Sequence, residues 1–173
     1  ELRFFVKIRV NSLPRKVIEL KIEYDFSRYL SSKKTVDDRA LNKDVWAQLR
    51  HHLPDSPAIL EVGAGIGTMV ERLVDGGVVK NGRFTAIDNQ HANIASARQR
   101  LRHLPPDLSL ELETIDLFDF IAREEGREWD LLIAHAFLDL MDVAATLPPL
   151  LALLKRGGLC YFTINFDGVT TLE

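Results

Sequence analysis

A glycine-rich segment contains the residues of this sequence that are best suited to hold a ligand. Residues 59–68 read Ile-Leu-Glu-Val-Gly-Ala-Gly-Ile-Gly-Thr, with Gly63, Gly65 and Gly67 at alternate positions after an apolar run. Glycines at such a turn let the backbone approach a ligand closely, and the N-terminus of a following helix favours an anion. A tight strand-to-helix turn without a ligand is the alternative, although its glycines would cost backbone entropy that a plain turn need not lose.

Two aspartates follow later apolar runs, at the places where strands should end. Asp88 stands 21 residues after Gly67, and a carboxylate there can accept two hydrogen bonds from the vicinal hydroxyls of a ribose. Asp116 occupies the equivalent place after the next apolar run and could accept a hydrogen bond from an adenine amino group. Each also has a structural explanation, because aspartate often caps a helix or forms a turn. Together with the glycine segment, Asp88 favours nucleoside binding.

His135 is the candidate for proton transfer, because it directly follows the apolar run 131–134. Imidazole changes its charge near neutral pH and is therefore a common general base. Asp139 and Asp142, a few residues beyond, could orient its ring or cap the following turn. A histidine that is simply hydrogen-bonded at a strand end explains the same pattern equally well.

The elements that must position these residues alternate along the chain as strand and helix. Apolar strands between helices predict a parallel sheet covered on both faces by right-handed crossovers. Such sheets bind ligands outside the carboxyl ends of their strands, where the strand order reverses. The predicted strands are 58–62, 84–87, 110–115, 131–134 and 159–166, and predicted helices include 68–74 and 118–124, with Ile94, Ala97, Leu101 and Leu104 on the face of another.

The N-terminal part has a different pattern. Residues 4–10 and 17–24 alternate apolar with charged side chains, which predicts a β-hairpin, although Val17, Leu20 and Tyr24 would also fit one face of a helix. We expect this hairpin to cover the fifth strand; the alternative is that residues after Glu173 supply the missing strands in a longer protein. Residues 35–38 have the spacing of a capping box, with Thr35 first, and predict the start of an amphipathic helix that reaches Leu53 and ends at the following prolines.

The C-terminal part gives two further expectations. Pro148 and Pro149 are typical of a helix start, so we expect a helix from there to Lys155, with Gly157 as its C-terminal cap. Cys160 lies in the predicted fifth strand and is expected to pack in the core.

The composition is that of a globular domain. The 173 residues include 22 basic and 25 acidic side chains, which gives a net charge of −3 and a pI near 6.0. This balance argues against broad nucleic-acid binding, which normally needs a basic face. The longest apolar stretch is less than half of the ~20 residues that a membrane-spanning helix needs. We therefore expect a single cytoplasmic domain without a membrane segment or a metal site.

The order of these segments points to a family. Residues 61–67, Asp88, Asp116, residues 130–136 and residues 154–158 resemble, in sequence, the successive motifs of class I S-adenosylmethionine-dependent methyltransferases. The ordered set is far more specific than any one motif. It implies S-adenosylmethionine as cofactor and an α/β Rossmann-like three-layer sandwich with a mainly parallel sheet of at least five strands, plus the N-terminal hairpin and capping helix.

The resemblance also implies the cofactor site. By motif position the expected contacts are Gly63, Ala64, Gly65 and Gly67 for the methionine and ribose parts, Asp88 and Asn89 for the ribose, Asp116 and Leu117 for the adenine, Glu61 for the methionyl amino group, and His135 and Ala136 beside the sulfonium. His135 would be the catalytic base. The corresponding division of residues 1–173 is an extension over 1–34 and a cofactor-binding core over 35–166.

The sequence departs from the family pattern at its C-terminal end. The usual antiparallel strand pair after the fifth strand is missing, a pattern consistent with a piece of a longer protein. Residues 135–138 read His-Ala-Phe-Leu in place of the Asn-Pro-Pro-Tyr type motif that serves amino methylation of nucleic-acid bases. A small-molecule acceptor is therefore expected.

Two other functions remain as alternatives. A nicotinamide-dinucleotide fold shares the glycine segment and the ribose carboxylate, but its fingerprint needs glycine or alanine where Thr68 stands. Glu61 also argues against it, because a carboxylate repels a pyrophosphate and attracts a methionyl ammonium. The second alternative is an inactive methyltransferase-like module that serves a partner protein.

Overall fold

The computed structural model describes residues 41–124 and 129–163, and its centre is a five-stranded parallel sheet. The strand order is β3-β2-β1-β4-β5, so the order reverses between β1 and β4. All four neighbouring pairs are parallel, as the alternation of strands and helices predicts. The strands are β1 (Ala58–Val62), β2 (Gly82–Asp88), β3 (Leu108–Thr114), β4 (Trp129–His135) and β5 (Leu154–Thr163).

Helices cover both faces of this sheet. One buried apolar cluster packs α1, α2 and α3 against one face, and a second cluster packs α4 and α5 against the other. The predicted Rossmann-like three-layer sandwich is therefore confirmed. The helices are α1 (Lys43–His52), α2 (Thr68–Asp75), α3 (His91–Arg100), α4 (Leu117–Arg123) and α5 (Val143–Leu151), with a short 3₁₀ turn at Leu138–Leu140.

The two strands at the reversal point form the most deeply buried part of the sheet. Ile59 and Leu60 of β1 and Leu131 of β4 have no exposed surface. Each such side chain contributes roughly 1.5–3 kcal/mol to folding when it leaves water. The loops that follow β1 and β4 therefore start from a rigid platform.

The helix before β5 differs from the prediction. Pro148 and Pro149 do not open it; they lie inside α5, which begins at Val143. The N-cap is Asp142, whose carboxylate accepts a hydrogen bond from the Ala145 N–H at 3.1 Å. This cap supplies a stronger start than proline does, and α5 ends two residues after Pro149. The alternative in which Asp142 caps the following turn is thus confirmed.

Gly157 is not a helix cap, because β5 already begins at Leu154. Trp129 pairs with Leu154 and Leu131 pairs with Leu159, so four residues between the two partners bulge out of the strand. Gly157 has φ +82° in this bulge. A positive φ favours glycine in a bulge as much as at a helix end, which is why the sequence pattern misled.

Cys160 is exposed, so the expectation that it packs in the core is wrong. It lies on β5, which is one of the two edge strands of the sheet in the described part of the chain. Side chains alternate between the faces of a strand, and Tyr161 is the buried neighbour.

The start of α1 also needs a correction. Asn42 caps this helix, and its side chain accepts hydrogen bonds from the N–H groups of Asp44 and Val45. The proposed capping box at 35–38 and the N-terminal hairpin at 4–10 and 17–24 lie outside the described residues. Within the two described ranges, no helix is both long and apolar enough to cross a membrane.

A carboxylate ties three strands together at the amino-terminal edge of the sheet. Asp130 of β4 accepts a hydrogen bond from the N–H of Ala58, the first residue of β1, at 2.8 Å. Its other oxygen accepts from the Lys155 ammonium of β5, also at 2.8 Å. These contacts fix β1, β4 and β5 at the edge opposite to the loops described next.

Candidate functional site

The glycine segment forms the loop between β1 and α2 at the carboxyl-terminal edge of the sheet. Gly63, Gly65 and Gly67 have φ values of 66°, 54° and 77°. Other residues rarely adopt this left-handed backbone, so the turn itself requires glycine at all three positions. The glycines therefore do not decide by themselves between a ligand loop and a plain turn. The side chains around the loop must decide.

Asp88, at the end of β2, lies directly against this loop. Its Oδ2 accepts a hydrogen bond from the Gly65 N–H at 2.8 Å. Its Oδ1 accepts from the Gln90 N–H at 2.8 Å and from the Asn93 side-chain amide at 3.1 Å. The structure thus brings Asp88 and the glycine loop together, as predicted from their positions in the sequence. The carboxylate is buried, whereas the neighbouring Asn89 is exposed.

Glu61 is a buried carboxyl group on β1, two residues before the first glycine of the loop. Only 1% of its surface is exposed, and its Oε2 has no hydrogen-bond partner within the part of the chain that the structure describes. Burial raises the pKa of Glu61 to about 8, and nearby Asp88 adds to this rise, whereas the positive charge of Arg72 opposes it. Such a group gains most from a cationic partner that enters beside it.

Asp116 and Leu117 lie at the junction of β3 and α4. Asp116 is exposed and caps α4, where its Oδ1 accepts a hydrogen bond from the Phe118 N–H at 2.8 Å. The structural explanation for Asp116 is therefore confirmed. The Ile115 N–H donates to the Asp88 carbonyl oxygen at 3.1 Å, which holds the ends of β2 and β3 together. Asp116 thus follows the same sheet edge as Asp88, and the adjacent Leu117 is buried.

His135 ends β4, and both ring nitrogens have partners. Nε2 lies 3.3 Å from Nη1 of Arg72, and Nδ1 contacts the hydroxyl of Thr163 at the end of β5. The next residue, Ala136, has φ +50° and donates its N–H to the Thr163 carbonyl oxygen at 2.9 Å. A left-handed backbone at a residue other than glycine is uncommon, and such residues concentrate at functional sites.

Arg72 is a site residue that the sequence reasoning missed. It lies on α2 with only 5% of its surface exposed, on the same helix face as the buried Met69 and Leu73. The available signal was its spacing of three residues from Met69, which places a guanidinium on the buried face of the helix. Because the positive charge of Arg72 also acts on Glu61, it links α2 electrostatically to β1.

Phe137 is the second missed residue. Its ring packs against Gly63, where an added Cβ would lie 2.2 Å from the ring carbon Cδ2. A side chain at position 63 would therefore collide with this ring as well as strain the backbone. This contact joins the loop after β4 to the loop after β1. The sequence signal for it was weak, because Phe137 is one apolar residue among others in its segment.

The carboxyl-terminal edge of the sheet thus collects acidic, basic and imidazole groups around one glycine loop. Glu61 lies near the end of β1, and Asp88 and His135 are the last residues of β2 and β4. Asp116 follows β3, so the four side chains come from four neighbouring strands. Among residues 41–124 and 129–163, no group of three or more His, Cys, Asp or Glu side chains could hold a metal ion. The site is suited to a nucleoside with a cationic part, because carboxylates accept from hydroxyl and ammonium groups.

A family model described as a methyltransferase domain matches residues 60–160, which is more than half of the chain. The chain belongs to this methyltransferase family. The match begins within β1 and ends within β5, so it covers all or part of every strand of the described sheet. The resemblance to class I S-adenosylmethionine-dependent methyltransferases is confirmed. No curated protein matches the chain by sequence.

Solved methyltransferase structures share the fold. The sugar N-methyltransferase KedS8 from Streptoalloteichus sp ATCC 53650 superposes with a TM-score of 0.60 at 19% identity, over 96% of this chain and 63% of that one. The plantazolicin methyltransferase BpumL in complex with SAH gives a TM-score of 0.52 at 19% identity, over 79% and 46%. The magnesium protoporphyrin IX methyltransferase of Synechocystis PCC 6803 with bound SAM gives 0.50 at 19% identity, over 78% and 61%. This chain therefore spans between about half and two thirds of the length of these methyltransferases.

Proposed function

We propose that this protein transfers a methyl group from S-adenosylmethionine to a small-molecule acceptor. The observation that carries the proposal is the buried Glu61 carboxyl group beside the glycine loop, one oxygen of which has no hydrogen-bond partner among residues 41–124 and 129–163. A methionyl ammonium placed there would offset the cost of burying a carboxylate. A pyrophosphate at the same place would be repelled, so a nicotinamide dinucleotide fits this site less well.

The remaining residues of the edge fit the other parts of the cofactor. We assign the ribose hydroxyls to Asp88, whose Oδ2 accepts the Gly65 N–H of the glycine loop, and to the adjacent Asn89. We assign Asp116 and Leu117 to the adenine. The bound cofactor would supply an activated methyl group on its sulfonium. Gly63, Ala64, Gly65 and Gly67 would line its methionine and ribose parts, and His135 and Ala136 would lie beside the sulfonium.

The protein itself must position the acceptor and, for an oxygen or carbon acceptor, remove a proton from it. We propose His135 for that proton. Arg72 and Thr163 contact the two ring nitrogens in this structure. Action as a base therefore requires that one of these contacts gives way when the acceptor binds. A nitrogen acceptor that is already neutral would need no base, and His135 would then be structural.

The acceptor class rests on two arguments. The structural neighbours include a sugar N-methyltransferase, a plantazolicin methyltransferase and a magnesium protoporphyrin IX methyltransferase, which supports a small-molecule acceptor. The net charge of −3 also disfavours a nucleic-acid acceptor. We further propose residues 35–166 as the cofactor-binding core, with residues 1–34 as an extension.

Calorimetric titration with S-adenosylhomocysteine and with NAD, in parallel, tests the cofactor assignment. We expect binding of S-adenosylhomocysteine and no heat with NAD. Comparable affinity for NAD would overturn it. Conversion of S-adenosylmethionine to S-adenosylhomocysteine with a pool of small acceptors then tests the activity. Binding without turnover in any pool would favour the inactive module that serves a partner protein.

A further inference from the structure

Arg72, a buried arginine on α2, is not among the residues that we assign to the cofactor. Arg72 lies under its own helix, on the side facing the sheet, and contacts the ring of His135 at 3.3 Å. A buried guanidinium that touches a candidate base can determine which ring nitrogen of that base carries the proton. The contact between Arg72 and His135 therefore bears on the chemistry of the site.

We infer that Arg72 is a positioning residue that fixes His135 as the neutral tautomer with its proton on Nδ1. A guanidinium has only N–H donors and does not lose its proton in proteins. In the contact between Nη1 and Nε2, therefore, Nε2 must be the acceptor and cannot carry a hydrogen. The one proton of the neutral ring is then on Nδ1.

The other side of the ring agrees with this assignment. Nδ1 contacts the Thr163 hydroxyl, which can accept the Nδ1 proton. A hydroxyl can donate or accept, so it adapts to either tautomer, whereas the arginine allows only one. Arg72 thus determines the tautomer and Thr163 follows it. A hydrogen bond to one ring nitrogen of a histidine commonly determines which of the two nitrogens carries the proton.

The contact with Arg72 also determines where the lone pair of the ring points. Because Nε2 accepts from Nη1, its lone pair is directed toward α2. This consequence rests on the proposed function: if His135 is the base, it takes up the proton of the acceptor at Nε2, in place of the contact with Arg72.

Nuclear magnetic resonance of the ligand-free protein tests the tautomer without reference to any activity. In ¹⁵N-labelled protein at neutral pH, long-range ¹H–¹⁵N spectra distinguish a protonated, pyrrole-type nitrogen from an unprotonated, pyridine-type one. The His135 signals are assigned by their loss in His135→Asn. We expect the pyrrole-type shift at Nδ1 and the pyridine-type shift at Nε2. A proton on Nε2, alone or together with Nδ1, overturns the inference.

Variants then show whether Arg72 is the cause. Arg72→Met keeps an unbranched side chain at the buried position but removes the donor, and we expect the Nδ1–H tautomer to lose its dominance. Arg72→Lys retains a group that only donates, and we expect it to restore the wild-type pattern. Thr163→Val should leave the tautomer unchanged, as should the control Arg102→Met at an exposed arginine. An unchanged tautomer in Arg72→Met, or a change in Thr163→Val alone, overturns the assignment to Arg72.

These measurements separate the inference from the proposed function. If S-adenosylhomocysteine fails to bind, the cofactor assignment fails, while the spectra of the ligand-free protein still decide the tautomer. If Arg72→Met does not fold, the wild-type spectrum and Arg72→Lys decide it, because Arg72→Lys with a proton on Nε2 contradicts the inference.

Discussion

Replacing Glu61 with glutamine removes a buried titrating group while its shape is kept. In the folded protein the pKa of Glu61 is about 8, compared with 4.5 for an ordinary glutamate, because burial disfavours the charged form. The unfolded chain therefore loses this proton at lower pH than the folded one. Wild-type stability from this group is fully present below pH 4.5 and is lost progressively up to pH 8. Glutamine does not titrate, so position 61 causes no such loss of stability in the Glu61→Gln variant.

The size of the effect follows from the two pKa values. Each pH unit between them costs about 1.4 kcal/mol, so at pH 7 the burial of Glu61 lowers the free energy of unfolding by about 3 kcal/mol. At pH 5 the cost is below about 1 kcal/mol. We expect Glu61→Gln to be more stable than wild type at pH 7, and this advantage to shrink by roughly 2 to 3 kcal/mol at pH 5.

Urea denaturation at the two pH values, followed by tryptophan fluorescence, measures the difference. Asp119→Asn, which removes an exposed carboxylate of α4, is the matched control and should show no comparable dependence on pH. A stability difference between Glu61→Gln and wild type that is the same at pH 5 and pH 7 would refute the reasoning. So would a Glu61→Gln variant that becomes less stable, relative to wild type, as the pH rises.

Further predictions concern the ligand. S-adenosylhomocysteine binding at pH 7 should release about one proton from Glu61, because the ammonium favours the carboxylate; calorimetry in buffers of different ionisation enthalpy measures this, and Glu61→Gln should release none. Asp88→Ala should weaken that binding by roughly 1.5 to 3 kcal/mol, the range for hydrogen bonds to a charged group; an unchanged dissociation constant would remove Asp88 from the site. Gly65→Val should abolish binding in the same titration, because φ +54° excludes a branched residue. His135→Ala should slow turnover of S-adenosylmethionine more than it changes cofactor affinity; equal turnover at all pH values would show that the residue is structural.

The strands could be predicted from the sequence because their apolar runs are short and end at clear turn residues. β1 was predicted with its observed bounds, since proline precedes it and glycine follows. The parallel order and the position of Asp88 beside Gly65 followed from general rules for alternating strands and helices. These features depend on local pattern, which a single sequence contains.

The errors arose where one residue type serves two structures. Pro148 and Pro149 fit a helix start, but the stronger N-cap at Asp142 placed the start five residues earlier. Gly157 fits a helix end, but its positive φ belongs to a bulge. Cys160 was assigned to the core by residue type, although its orientation depends on strand register. Arg72 was missed because its role depends on His135, which is distant in sequence.

The contacts of Asp130 with Ala58 and Lys155 have a consequence for how this fold can change over evolution. They join β1, β4 and β5 at the amino-terminal edge of the sheet, where none of the described candidate ligand residues lies. The contacts that align the strands and the candidate ligand residues thus lie at opposite ends of the same strands. The loops at the carboxyl-terminal edge can accumulate substitutions while the contacts of Asp130 preserve the strand alignment, so new ligand specificities can arise on this scaffold without loss of the fold.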